Sequence, residues 1–220
     1  MPNFLSTVKI LDDRVIELEE SRRLMTTVEP TAGVTHTTEH QTRVSFRPWY
    51  KWLLTALAFP PAGYIAHGVV GRVDSVSPAL LGGAITGAGI GAAQWALLRR
   101  RGVSLLWVAA TAVGLGVGLA AGAAVVSYRT DVTSLFVMGA ISGLAVGLAQ
   151  GAMLGSSKGL LLWASATALL WAVAWTITVA WGIEVEEQWM VFGISGALFF
   201  AAVQSTFIDA FVPVSPKPLS

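Results

Sequence analysis

The stretch Gly83–Leu98 reads GAITGAGIGAAQWALL and runs straight into Arg99, Arg100 and Arg101. It is apolar apart from Thr86 and Gln94, and it is studded with glycine. A helix turns about 100° per residue, which puts Gly83, Thr86, Gly87, Gly91 and Gln94 within one arc of about 140°. Small residues on one face let helix backbones approach closely, which is how helices associate in lipid, where no hydrophobic force drives them together. The pattern predicts a membrane helix whose glycines pack against a neighbour and whose Gln94 points into the bundle. Five residues separate Gln94 from Arg99, about 7.5 Å at helical rise, so the amide lies near the basic end of the span.

The same pattern recurs. Gly139–Leu154 reads GAISGLAVGLAQGAML, with Gly139, Ser142, Gly143, Gly147 and Gln150 each 56 residues after Gly83, Thr86, Gly87, Gly91 and Gln94. The register extends into the following segment, where Trp107 maps to Trp163 and Thr111 to Thr167; one period earlier lies Thr55. A third copy, GISGALFFAAVQSTFI from Gly193, supplies Ser195, Gly196 and a glutamine, Gln204, displaced by one residue. The repeat predicts three helical hairpins in tandem, related by a pseudo-threefold axis along the membrane normal, as in parallel-repeat transporters.

Working outward, apolar runs cover roughly 49–70, 78–98, 103–126, 132–154, 159–181 and 189–212. Each is near the 20 residues that a bilayer core requires. The 220-residue chain is 54% hydrophobic and 12% charged, about half the charge of a soluble domain. An all-α, six-span membrane protein follows, because lipid does not tolerate unpaired backbone. The connections GRVDSVS, RRRG, SYRTD, GSSKG and GIEVEEQ are short and favour antiparallel neighbours.

Basic residues are unevenly shared among the connections. Arg43, Arg47, Lys51, Arg99, Arg100, Arg101, Lys158 and Lys217 fall on the side of both termini, and only Arg72 and Arg129 on the other. The acids Asp74, Asp131, Glu184, Glu186 and Glu187 share that second side. The positive-inside rule then predicts both termini in the cytoplasm. Pro60 and Pro61 interrupt the first span in AFPPAG, predicting a kink or break near Phe59 that serves packing or lines a binding site.

Residues 1–46 form a polar tail, and 213–220 a short C-terminal one. Val8, Leu11, Val15 and Leu18 recur at helical spacing, predicting an amphipathic helix over 5–25, followed by a threonine-rich linker over 26–46. The polar face of that helix is acidic, which suits a protein partner better than anionic lipid. The start MPNFLSTVKILDD has no apolar signal-peptide core, so the first span is expected to act as its own signal.

Residues for chemistry are sparse. Cysteine is absent, which excludes disulfides and thiolate metal sites. His36 and His40 are four apart in THTTEH, but without a helix signal they give no metal site. GAITGAGIG has no preceding strand and no Lys-Ser/Thr after it, so it is not a phosphate loop. Asp209 is the sole acid within a span, and the mid-span polar groups are hydroxyls (Thr55, Thr86, Thr111, Ser142, Thr167, Ser195), a poor equipment for proton coupling. A net charge of +1 gives no sign of a nucleic-acid partner.

Two groups remain as candidate sites. Gln94, Gln150 and Gln204 are either interhelical hydrogen-bonding groups or a ring that binds a polar ligand or lipid headgroup. Trp163, Trp171, Trp175 and Trp181 fall within about 120° of one helix face. They form either a lipid-facing or packing stripe or a platform for a flat apolar ligand such as a quinone or carotenoid.

The pattern G-A-x-[ST]-G-x-x-x-G-x-x-Q, followed by apolar residues and arginines, resembles stretches in uncharacterised bacterial multi-pass membrane proteins. The resemblance covers the membrane region and implies a bacterial inner membrane, with no activity attached. The three-hairpin plan is shared with mitochondrial carriers, but their Pro-x-[Asp/Glu]-x-x-[Lys/Arg] signature is missing from the spans. The expected function is a non-enzymatic scaffold or accessory subunit among other membrane proteins, with no cofactor required. The alternative is a channel or facilitator for a small neutral or lipid-like solute.

Overall fold

The computed structural model describes residues 50–183, 185 and 189–212. Expectations about the tail helix, the linker, His36 and His40, the acids Glu184, Glu186 and Glu187, and the C-terminal tail lie outside the described residues. Among the described residues every regular element is helical: α1 (Tyr50–Leu53), a 3-10 stretch (Leu54–Ala58), α2 (Phe59–Val70), α3 (Val76–Leu98), α4 (Leu106–Val125), α5 (Val132–Gly151), α6 (Ser157–Ala180) and α7 (Ile194–Phe211). With α1 and α2 counted as one span, Tyr50–Val70, six helices are long and apolar enough to cross a membrane.

The distribution of polarity fits lipid as the solvent. Leu57, Ile65, Val69, Leu81, Val113, Val117, Leu161, Leu162 and Leu169 are exposed, while Thr86, Gln94, Thr111, Gln150, Thr167 and Gln204 are buried. A water-soluble fold shows the opposite bias. The chain is a multi-pass membrane protein. Each span packs on its neighbours in sequence, and α7 returns to α1 and the 3-10 stretch. At the basic end Arg101 bridges from the end of α3 to the Asp209 carboxylate and donates to the Val212 carbonyl (3.2 Å).

Three local features differ from a plain reading of apolar runs. The α-helix of the first span is interrupted at the expected place near Phe59: a 3-10 stretch ends at Ala58, and Pro60 and Pro61 lie in the first turn of α2, where a missing N–H costs no helical bond. The preceding turn tightens to 3-10, with the Phe59 N–H bonded to Ala56. The fourth span ends as a regular helix at Gly151; Met153 and Leu154 then bond back to Gln150 and Gly151 in a turn closed by Gly155 at φ +73°.

The last span begins at Ile194 and not at Trp189. Met190, Val191 and Phe192 are buried without being helical. Irregular backbone at membrane depth is tolerated where protein covers it, and here the side chain of Met190 packs on Gly82 and that of Val191 on Gly63.

Candidate functional site: a buried tryptophan–glutamine layer

The three glutamines are buried, and each accepts a hydrogen bond from a tryptophan. Trp107 Nε1 donates to Gln94 Oε1 (3.0 Å), Trp163 Nε1 to Gln150 Oε1 (3.1 Å) and Trp52 Nε1 to Gln204 Oε1 (3.1 Å). An indole N–H can only donate, so each pair also fixes which amide atom is the oxygen. The first two pairs are 13 residues apart in sequence, whereas Trp52 and Gln204 are 152 apart and join the last span to the first.

Gln150 is the hub. Its Nε2 donates to Gln94 Oε1 (3.0 Å) and to Thr111 Oγ1 (2.9 Å), which joins α3, α4, α5 and α6 through one amide. Thr111 and Thr167 in turn donate to the carbonyls of Trp107 and Trp163 one helical turn back, and Thr55 to that of Trp52. The Trp107 and Trp163 rings meet edge to face at 6.1 Å. Gln94 and Gln150 are therefore in direct contact. Gln204 bonds to neither, and its Nε2 has no partner. Thr86 Oγ1, Ser142 Oγ and Ser195 Oγ, which share one position of the repeat, are likewise buried without a partner.

The glycines that sequence placed on one face lie at helix–helix contacts with carbonyl oxygens and Cα atoms. A methyl group built on Gly87 would lie 2.5 Å from the Thr111 oxygen, and one on Gly83 2.7 Å from that of Leu115. Gly91 meets Thr111 and Val108 in the same way, so α3 and α4 run antiparallel with backbones touching. Between α5 and α6, Gly139 faces Trp171 and Ala172; a methyl group built on Gly143 would lie 2.7 Å from the Thr167 oxygen, and one on Gly147 2.6 Å from the Ala164 Cα.

The contact of α7 with α1 and α2 is built differently. With Ser195 set on Ser142, the positions of Gly139 and Gly147 are taken by Phe192 and Phe200, 53 residues on. Both phenyl rings are buried against Phe59, at 5.1 and 5.7 Å between centroids, with Trp171 edge-on to each. Phe59, Leu115 and Trp171 are themselves 56 apart. Where Leu115 and Trp171 press on glycine, Phe59 presses on phenylalanine.

The tryptophan stripe divides. Trp163, Trp171 and Trp175 are in the core, whereas Trp181 is 77% exposed. Their shared face on α6 turns inward over the bundle and leaves it only at the helix end. Sequence reasoning singled out Gln94, Gln150 and Gln204 but not their donors Trp52 and Trp107. The signal was present, since Trp107 and Trp163 follow the glutamines at one constant offset.

Among the described residues no group of three or more His, Asp or Glu could hold a metal ion. No family model matches the chain, and neither a curated protein nor a solved structure matches it.

Proposed function

We propose that this protein is a non-enzymatic scaffold or accessory subunit of a membrane complex, built as three helical hairpins about a pseudo-threefold axis. The hairpins are α1–α2 with α3, α4 with α5, and α6 with α7. The observation that carries the reading is the tryptophan–glutamine layer: the glutamine of each hairpin accepts from the tryptophan of the next, and the third accepts from the first. Buried amides that accept from indoles hold helices in register, each bond contributing about 0.6–2 kcal/mol in a membrane. The Gln94, Gln150 and Gln204 oxygens are engaged in this way, and the Gln204 Nε2 is left without a partner. The aromatic packing of Phe59, Phe192 and Phe200 fills the interior beside them. What such a body presents to its surroundings is an apolar surface for lipid and for other membrane helices.

The resemblance to bacterial multi-pass proteins suggests a bacterial inner membrane, and the bias of Arg99–Arg101 and Lys158 toward one end supports an orientation with both termini in the cytoplasm. Because the chain lacks cysteine, Ser75→Cys and Ser157→Cys test this directly. An impermeant thiol reagent on intact cells should label the first and spare the second, and the opposite pattern reverses the orientation.

The scaffold reading predicts a partner held at fixed stoichiometry after mild solubilisation, found by cross-linking in cells and mass spectrometry. The unpartnered hydroxyls of Thr86, Ser142 and Ser195 favour one second reading, a facilitator of small neutral solutes. Flux of such a solute through proteoliposomes of the purified chain, with no partner recovered, would replace the scaffold by the facilitator.

A further inference from the structure

The third copy of the repeat departs from the others in two ways, and both departures meet at one place. Residues 181–193 connect α6 to α7, where only 71–75 and 126–131 connect α2 to α3 and α4 to α5. Phenyl rings also take two of the three glycine positions, while the third glycine, Gly196, meets the Ala174 oxygen on α6. The result is a space of about 420 Å³ between the first turns of α2, the outer end of α6 and the segment before α7.

Its walls are Trp175, Ile183, Val185, Val191 and Phe192, and its rim is Pro60, Pro61 and Tyr64. All three rim residues are exposed, on the same helix that exposes Ile65 and Val69. The opening therefore faces laterally, toward the bilayer. The polar group in the wall, the Thr178 hydroxyl, is already engaged: it donates to Ala174 and accepts from the Gly193 N–H. Toward the interior, the stacked pair Phe59–Phe192 closes the space.

We infer that this space is a binding site for one acyl chain of a bilayer lipid, entering past the exposed Pro60 and Pro61, beside the stacked rings of Tyr64 and Trp189. A cavity lined by hydrocarbon has nothing to offer water, which needs two to four polar partners. An apolar hole left empty forfeits the dispersion contacts of its lining. The neighbouring medium is itself made of apolar chains, and a space of about 420 Å³ far exceeds the ~10–15 Å³ that a single water needs.

The test is photolabelling of the full chain in nanodiscs of phosphatidylethanolamine and phosphatidylglycerol, doped with a phospholipid whose acyl chain ends in a diazirine. Cross-links mapped by mass spectrometry should concentrate on Trp175 and on 189–193. Residues that face lipid elsewhere, such as Leu161, Leu162 and Leu169, report the bulk chains. Ile183→Trp, which fills the space from its wall, should cut labelling at Trp175 several-fold while Leu162 is labelled as before. Labelling confined to Leu161, Leu162 and Leu169 in the wild-type chain would overturn the inference even if the variant failed to fold. So would labelling of Trp175 that Ile183→Trp leaves unchanged in a folded protein.

Discussion

The α3–α4 and α5–α6 contacts and the contact of α7 with the first span occupy corresponding places in the repeat, yet they are held together by opposite means. In the first two, glycines bring carbonyl oxygens and Cα atoms to the limit of approach, and a methyl group would sit 2.5–2.7 Å from backbone at Gly87, Gly143 and Gly147. In the third, the phenyl rings of Phe192 and Phe200 stand at the positions of Gly139 and Gly147, and α7 meets the first span through those side chains. The glycine contacts join whole helix faces and leave little space. The aromatic contact is bulkier, and a cavity opens beside it. Two joints are thus closed backbone to backbone, and the third is closed through aromatic side chains.

The largest effect should come from forcing side chains into the two backbone-to-backbone joints. Gly87→Leu and Gly143→Leu each place a branched chain against a carbonyl oxygen that cannot turn aside. Overpacking typically costs about 1–3 kcal/mol where side chains can shift; with backbone on the other side we expect the upper end or beyond. Thermal unfolding in detergent should show both variants as the least stable of the set. Wild-type behaviour in either would mean that these joints yield as readily as the third.

The third joint should show the reverse sensitivity. Phe200→Ala removes a ring packed on Phe59, Trp171 and Phe192. Such truncations cost about 3–5 kcal/mol in soluble cores, and part of that is transfer from water, which lipid does not supply. We expect about 2 kcal/mol in the same assay. A stability equal to wild type would show that the aromatic joint carries no packing energy and that the Arg101–Asp209 contact and neighbouring helices hold α7.

Much of this was legible in sequence, and the reasons differ by element. The spans and the inward face of Gln94 follow from periodicity alone, because glycine spacing and helical pitch are local. The substitution of Gly139 and Gly147 by Phe192 and Phe200 is equally visible once Ser142 is set on Ser195. Its consequence is not, since it depends on Phe59 arriving from a span far away in sequence. The Trp52–Gln204 bond has the same long-range character. The non-helical course of Met190–Phe192 was hidden for another reason: a short apolar run reads alike as buried helix or buried extended chain, and only Gly63 and Gly82 opposite it decide the matter.

Smaller effects should separate the three glutamines. Gln150→Leu leaves the buried Trp163 N–H without an acceptor and takes a donor from both Thr111 and Gln94. An orphaned buried donor costs about 1–3 kcal/mol in soluble proteins, and membrane hydrogen bonds average nearer 0.6; about 1–2 kcal/mol is expected. Gln204→Leu orphans the Trp52 N–H but also removes an amide nitrogen that has no partner, so the two changes offset and the loss should be under about 1 kcal/mol. Gln94→Leu should fall between them. If Gln204→Leu proves the most damaging of the three, the aromatic joint depends on its one polar pair, and the contrast drawn above fails at the layer that carries the functional reading.

The smallest effect lies at the helix starts, where the repeat again diverges. Ser75, Asp131 and Gly193 precede α3, α5 and α7, and of the three only Asp131 caps its helix with a side chain. Its carboxylate accepts from the Ser134 hydroxyl (2.5 Å) and from the Ser134 N–H (3.1 Å). The hydroxyl bond first, then the backbone bond, hold the carboxyl below its ordinary value of 3.8. A carboxyl depressed in the folded state stabilises it above the unfolded value and loses that contribution as pH falls through the folded value. Asp131→Asn keeps a capping oxygen at every pH and has no proton to gain. The difference in melting temperature between wild type and Asp131→Asn should therefore be constant from neutral pH down to about 5 and shift against the wild type as pH falls through the ordinary value of 3.8 toward the still lower folded value, where the cap gains its proton. A difference that stays constant through that range would mean that the exposed carboxylate contributes nothing to the start of α5. The three helix starts would then be alike in energy despite their different residues.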